Sequence, residues 1–124
     1  MNGEKWNMKI FQFDRDVARE VTAYQSHNIA FTKVAQADDG IHMGCMFIGK
    51  QGVIGGHEAP VDQLMLVVQG EGMVIGAGNQ ETKVYSGFAV FWERGEWHET
   101  KSEAGMTVII IEGEAFKHYL KELI

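Results

Sequence analysis

The residues best suited to chemistry in this sequence are two of its five histidines, His57 and His98. His57 follows a glycine-rich approach at residues 52–56, and His98 stands beside Trp97 in an acidic stretch. A neutral imidazole can bind a transition metal or accept a proton near neutral pH. His27 and His118 have no comparable surroundings, and we interpret them as structural or exposed side chains.

Three glutamates, Glu93, Glu96 and Glu99, stand close to His98 in the sequence. A carboxylate near an imidazole can raise its pKa or act as a general base. Glu96 falls in a loop, from which it can reach inward as an anionic ligand. We nevertheless favour a solvated acidic turn for all three.

The elements that must position these side chains are short apolar runs separated by glycines. This pattern predicts strands with turns at 49–52 and 70–72 and a hairpin loop at 76–79. Many short strands with glycine-rich turns indicate a β sandwich or a closed barrel. The most distinct predicted strands are 41–48, 63–68, 73–75, 83–85, 88–92 and 106–112.

The two ends of the chain have other patterns. Residues 14–20 favour a short helical turn, and residues 22–35 favour a strand. In the tail, about 114–124, apolar residues recur at helical spacing. We therefore predict a short C-terminal helix that docks on the barrel, or packs on a second subunit, through Phe116, Tyr119, Leu120, Leu123 and Ile124.

Length and composition predict one soluble domain spanning residues 1–124. The chain is 45% apolar and 23% charged, which is ordinary for a globular domain. Its formal net charge is −6. Because an acidic surface repels phosphates and anionic lipids, we expect neither a nucleic-acid partner nor a membrane partner.

The single cysteine, Cys45, excludes an intrachain disulfide. It lies in an apolar run, where a cysteine is usually a small buried side chain, although a catalytic thiol is the alternative. No apolar run is long enough to span a bilayer, and residues 1–10 do not form a signal peptide. These features predict a cytoplasmic protein.

The surroundings of the two histidines resemble the paired sequence motifs of the cupin superfamily. The first cupin motif has a glycine, a His-x-His pair, a glutamate and a closing glycine, and His57, Ala59, Gln63 and Gly70 fall at the corresponding positions. The second motif has a glycine, a Pro-x-Gly turn, a histidine and an asparagine. Its frame is matched by Gly87, Glu93, Gly95, His98 and Ser102.

Five positions depart from these motifs. Ala59 replaces the second histidine and Gln63 replaces the glutamate. Glu93 stands for the proline, Ser102 stands for the asparagine, and Gly52 lies one residue nearer to His57 than the motif requires. The fold expectation survives, because it depends on glycines and apolar runs. The expected metal site is weaker, because two neutral imidazoles and an amide carry no negative charge.

The resemblance implies an all-β fold, the cupin double-stranded β-helix or jelly-roll barrel, at about 41–112, with the short helix after it. It implies a metal held by His57, Gln63 and His98, for which Fe, Mn, Ni and Zn are the candidates, and no organic cofactor. Small cupins are often homodimers, so a homodimer is also expected. Strand alternation and sequence proximity then give the predicted ligand pocket: Ala59, Met65, Val67, Trp97 and Thr100.

Two functions follow from this resemblance. The first is a small cupin that binds a divalent metal and a small organic ligand; as an enzyme it would be a dioxygenase or an isomerase. The alternative is a metal-free cupin that binds a small molecule, or has a structural role, without catalysis. Fold alone does not decide between them.

Overall fold

The apolar runs between the glycines form antiparallel strands. The computed structural model describes residues 8–123, and within them the chain has short 3₁₀ turns at Arg15–Val17, Ala23–Gln25 and Ala77–Asn79. Its strands are β1 (Arg19–Val21), β2 (His27–Gln36), β3 (His42–Glu58), β4 (Asp62–Ile75), β5 (Glu81–Tyr85), β6 (Ala89–Trp92), β7 (Trp97–Ser102) and β8 (Met106–Gly113).

Two long strands close the structure into a barrel. In the first sheet, β8 lies between the first part of β3 and the first part of β4, with β2 and β1 beyond β3 and β6 beyond β4. In the second sheet, β7 lies between the second part of β3 and the end of β4, with β5 beyond β4. Because β3 and β4 each pair with both β7 and β8, the pairings form a closed ring. This is the predicted jelly-roll barrel.

Two of the predicted turns are instead corners within long strands. β3 continues through residues 49–52 and β4 continues through residues 70–72, each passing from the first sheet to the second. Gly70 has a positive φ of 84°, and a Cβ there would overlap the carbonyl oxygen of Gly105. The glycines therefore mark a bend and a close backbone contact, and both features resemble a turn in the sequence.

The interior is filled by apolar side chains from both sheets. A single buried cluster contains Ile29, Ile48, Ala59, Met65, Val67, Val74, Val84, Trp92, Met106 and Val108. β8 contributes Met106 and Val108 to it from the centre of the first sheet.

The predicted C-terminal helix is wrong over residues 114–123, and Ile124 lies outside the described residues. The chain bends at residues 114–115 and then continues without regular structure. Phe116 contacts the Phe91 ring, but Tyr119 is 86% exposed and Leu123 is 72% exposed. An isolated helix of this length is marginal unless its apolar face is packed. Over residues 8–123, no helix has the length and apolar character to cross a bilayer.

The first prediction concerns the corner of β4. Gly70→Ala should lower the free energy of unfolding by about 1–3 kcal/mol, because alanine is strained at positive φ and its Cβ would meet the Gly105 carbonyl. Urea unfolding measures the change. Gly76→Ala is the control, because a Cβ there has no neighbour within 4 Å. Equal stability of the two variants would contradict the role given to Gly70.

The second prediction concerns Cys45 on β3. The side chain is 1% exposed, and burial raises the pKa of its thiol. A raised pKa leaves less thiolate at a given pH, and the thiolate is the reactive form. At pH 8, an aromatic disulfide reagent should therefore modify Cys45 slowly in the native protein and rapidly in urea. Equally fast reaction in both states would show that the thiol is accessible and reactive.

Candidate ligand and metal site

The barrel contains a cavity of about 270 Å³ between its two sheets. Much of its wall is apolar, with Phe31, Met46 and Ile110 contributed by the first sheet and Ile54 by the second. Its polar side chains include His57, Gln63, His98 and Glu112. The cavity therefore combines an apolar wall with a small set of groups able to bind or react.

The two histidines are direct cross-strand neighbours. His57 on β3 is paired with His98 on β7, just beyond an irregularity in the register that begins at Ile54. Their ring centroids are 4.7 Å apart and the rings are tilted by 56°. The absence of a side chain at Gly56 leaves room for the Trp97 indole, which a Cβ there would contact. The irregular, glycine-rich end of β3 thus brings the two imidazoles together.

Backbone carbonyls orient both imidazoles. Nδ1 of His57 lies 2.8 Å from the carbonyl oxygen of Gly55, and Nδ1 of His98 lies 3.3 Å from that of Glu96. Because a carbonyl oxygen only accepts hydrogen bonds, Nδ1 carries the proton in each ring. In the neutral tautomer, Nε2 then has the free lone pair. This is the state in which an imidazole binds a metal or accepts a hydrogen bond.

An aromatic ring covers each imidazole. Tyr24 stacks on His57 with centroids 4.0 Å apart and an angle of 4°, and Trp92 stacks on His98 at 4.2 Å and 17°. His98 is buried, and this burial, with a smaller contribution from the charge of His57, lowers its pKa against the opposing effect of Glu96. The neutral form of His98 is therefore favoured.

The turn that carries Tyr24 is fixed by its contacts with Gly55 on β3. Tyr24 has a positive φ of 57°, and its carbonyl packs so closely on Gly55 that a Cβ there would overlap it. Ser26 accepts a hydrogen bond from the backbone N–H of Gly55 at 3.1 Å. The segment between β1 and β2 is thus fixed over the His57 end of the cavity, where Tyr24 remains 56% exposed.

Gln63, which stands where the first motif has a glutamate, is hydrogen-bonded to a carboxylate on the neighbouring strand. Gln63 on β4 and Glu112 on β8 are cross-strand neighbours, and Nε2 of Gln63 donates to Oε2 of Glu112 at 2.8 Å. An ionised carboxylate only accepts hydrogen bonds, so the contact fixes which end of the amide faces Glu112. The amide oxygen Oε1 of Gln63 remains free for another partner.

The predicted pocket residues are divided between the cavity and the packed interior. Met65 and Thr100 line the cavity together with His57, Gln63 and His98. Ala59 and Val67 are each 2% exposed and belong to the apolar cluster, outside the cavity wall. Trp97 also lies outside that wall, with its ring against Gly56.

Two of the three glutamates near His98, Glu93 and Glu96, lie in an exposed turn, whereas Glu99 lies on β7. Glu96 is exposed, and its carboxylate accepts a hydrogen bond from the backbone N–H of Glu93 at 3.0 Å. Glu93 is also exposed, and Glu99 is partly buried. The three side chains do not line the cavity wall.

Sequence reasoning missed several cavity residues, among them Tyr24 and Glu112. Alternation along β8 does place Glu112 on the same face as Ile110. Its pairing with Gln63, however, depends on the register between β4 and β8. Tyr24 reaches the cavity from the 3₁₀ turn between β1 and β2, and no motif marks that turn.

The donor types at the polar end fit a divalent metal that is loosely held. Among residues 8–123, no group of three or more His, Cys, Asp or Glu side chains is arranged to bind an ion. The available set is Nε2 of His57, Nε2 of His98 and Oε1 of Gln63. Imidazoles suit Zn, Fe and Ni, but this set brings no negative charge.

Solved structures with this architecture extend over most of the chain. KdgF from Halomonas sp. is 21% identical with a TM-score of 0.68, covering 80% of this chain and 86% of its own. The polyketide cyclase RemF from Streptomyces resistomycificus is 15% identical with a TM-score of 0.73, covering 86% and 81%. A protein from Desulfitobacterium hafniense is 15% identical with a TM-score of 0.64, covering 70% and 78%.

These similarities and the closed ring of strands define a small antiparallel barrel with an internal cavity. The Desulfitobacterium protein is described as a member of the cupin superfamily. The chain therefore has the cupin fold, as the two motifs predict. No protein-family model matches the sequence, and no curated protein matches it.

The third prediction concerns the amide–carboxylate pair. Gln63→Glu would place two carboxylates in contact and should lower the free energy of unfolding of the metal-free protein by about 1–3 kcal/mol. The exchange variant Gln63→Glu/Glu112→Gln restores one amide and one carboxylate and should recover most of the loss. Urea unfolding of the wild type, Gln63→Glu, Glu112→Gln and the exchange variant measures the coupling free energy between the two side chains. Additive effects of the two substitutions would show that the pair contributes no coupling.

Proposed function

We propose that this cupin-fold chain binds a small organic ligand in the barrel cavity, beside a divalent metal held by His57, Gln63 and His98. The observation that carries the proposal is the meeting of two oriented imidazoles and a free amide oxygen at a cavity with a largely apolar wall. Polar groups facing an apolar cavity cost free energy unless they find partners. A ligand and a metal are the partners that such groups suit.

The hydrogen bond between Gln63 and Glu112 supports the metal part of the proposal. It directs the amide so that Oε1 is available, and it places the Glu112 carboxylate next to Gln63, the proposed metal ligand. A carboxylate that accepts a hydrogen bond from a metal ligand orients that ligand and makes it a better donor. A bound metal would supply Lewis-acid polarisation of the organic ligand. The candidates are Fe, Mn, Ni and Zn; imidazoles are suitable ligands for Fe, Ni and Zn, and the amide oxygen suits Mn.

The alternative function is binding without a metal. Two observations favour it: the three proposed metal ligands carry no negative charge, and aromatic rings stack on both imidazoles. In this case His57, Gln63 and His98 would hydrogen-bond the organic ligand directly. Should the metal form prove catalytic, dioxygenase and isomerase reactions are the classes to screen.

We further propose that the protein is a cytoplasmic homodimer. Leu66, Ile109 and Ile111 alternate along β4 and β8 with inward-facing residues, so they face outward from the first sheet, where they are partly exposed. An apolar outer sheet face of this kind suits contact with a second copy. The exposed Val68 continues the apolar character of β4.

The fourth prediction tests the metal. After equilibrium dialysis against Fe(II), Mn, Ni or Zn salts, untagged protein should hold close to one divalent ion per chain above the free-ion concentration, as measured by elemental mass spectrometry. The double variant His57→Ala/His98→Ala should lose it, because two of the three proposed ligands are removed. His118→Ala is the control, since His118 is exposed and lies outside the cavity wall.

Circular dichroism should show that the double variant remains folded. Absence of metal from the wild-type protein with every ion would overturn the metal site and leave the metal-free alternative. Retention of metal by the double variant would show that the ion binds elsewhere.

A further inference from the structure

The cavity is acidic and contains no fixed cation among the residues that the structure describes. Glu112 is the one acidic side chain on its wall, and no lysine or arginine in residues 8–123 lines it. The net charge of the whole chain is also negative, at −6. Within a cavity of low dielectric constant, a carboxylate without a neighbouring cation interacts more strongly with a ligand charge than it would in water. The metal-free cavity should therefore disfavour an anionic ligand.

Several hydrogen-bond donors at the polar end are already used within the protein. Nδ1–H of His57 and Nδ1–H of His98 donate to backbone carbonyls, and one N–H of Gln63 donates to Glu112. The acceptors that remain are Nε2 of each neutral imidazole, Oε1 of Gln63 and the second carboxylate oxygen of Glu112. This cluster therefore matches a ligand group that donates hydrogen bonds, such as a hydroxyl.

The rest of the wall fits a flat ring system. The Tyr24 and Trp92 rings stand beside the imidazoles, and Phe31, Met46 and Ile54 add apolar surface. The volume of about 270 Å³ equals roughly nine water molecules at about 30 Å³ each, which is enough for one or two fused rings. Aromatic and apolar walls bind such a ring through burial and stacking.

We infer that the organic ligand is a neutral hydroxylated aromatic molecule, selected against carboxylates by Glu112. In the metal-free protein, the hydroxyl donates to the acceptor cluster formed by His57, Gln63, His98 and Glu112, while the ring lies against the apolar wall. This inference rests on the metal-free alternative of the proposed function, in which the lone pairs of His57, Gln63 and His98 are available, and it specifies the chemical class of the ligand. It assigns Glu112 a role in specificity through its charge, in addition to its contact with Gln63.

The test uses two probes that share a ring and differ in one group, 2-naphthol and 2-naphthoate. Chelator-treated protein is used at pH 7.5, so that a bound metal cannot attract the carboxylate. The solution is then also above the ordinary histidine pKa of about 6.5. Calorimetry measures affinity, and quenching of tryptophan fluorescence gives a second readout. We expect 2-naphthol to bind at least about tenfold more tightly than 2-naphthoate.

The variant Glu112→Gln removes the charge and keeps an acceptor for Gln63. It should raise the affinity for 2-naphthoate and reduce the ratio between the two probes severalfold. Glu81→Gln is the matched control. It removes the same charge from an exposed side chain on β5 that lies outside the cavity wall. This control should leave the ratio unchanged.

The possible outcomes distinguish failure of the proposed ligand cavity from failure of the inferred ligand class. Failure of both probes and of unsubstituted naphthalene to bind would overturn the proposed ligand cavity, and with it this inference. Binding of 2-naphthoate as tightly as 2-naphthol to the wild-type protein would overturn the inference alone. This comparison does not require a variant, so it remains decisive if Glu112→Gln unfolds. An unchanged ratio in a folded Glu112→Gln protein would show that Glu112 does not discriminate between 2-naphthol and 2-naphthoate.

Discussion

The structure depends on the way in which β3 and β4 each serve two sheets. Each strand pairs with β8 along its first part and with β7 along its second, and these four strands close the ring. Closure leaves an interior that side chains from both sheets must fill. It is also what brings His57 and His98 on the second sheet towards Gln63 and Glu112 on the first. The site is therefore a consequence of barrel closure and cannot be built from either sheet alone.

Inside the barrel, groups of the protein itself fix the orientation of the polar side chains. The imidazoles donate to carbonyl oxygens only two residues away in sequence, so the strand backbone at Gly55 and Glu96 sets the direction of each ring. Aromatic stacking by Tyr24 and Trp92 then limits rotation. Such preorganisation reduces the entropy lost when a ligand binds. The free acceptor atoms are thus presented without further rearrangement of the protein.

Much of the fold could be predicted from the sequence, because strands and glycines leave local signals. The apolar run at 106–112 predicted a strand, and β8 is the central strand of the first sheet. The corners at residues 49–52 and 70–72 were predicted as turns because a bent strand and a turn require the same glycines. The tail has a helical pattern, yet Tyr119 and Leu123 are exposed. Periodicity alone could not show that no surface packs against that face.

The site was less predictable, because its parts depend on register. His57, Gln63 and His98 could be found from the two motifs, since those motifs have fixed spacing. Glu112 lies 49 residues from Gln63 in sequence, and only the pairing of β4 with β8 brings them within hydrogen-bond distance. Compared with the first cupin motif, Gln63 lacks the carboxylate that the glutamate of the motif would provide. In the folded chain, a carboxylate adjoins the same position from the neighbouring strand, so the cavity keeps its negative charge while the amide oxygen stays free.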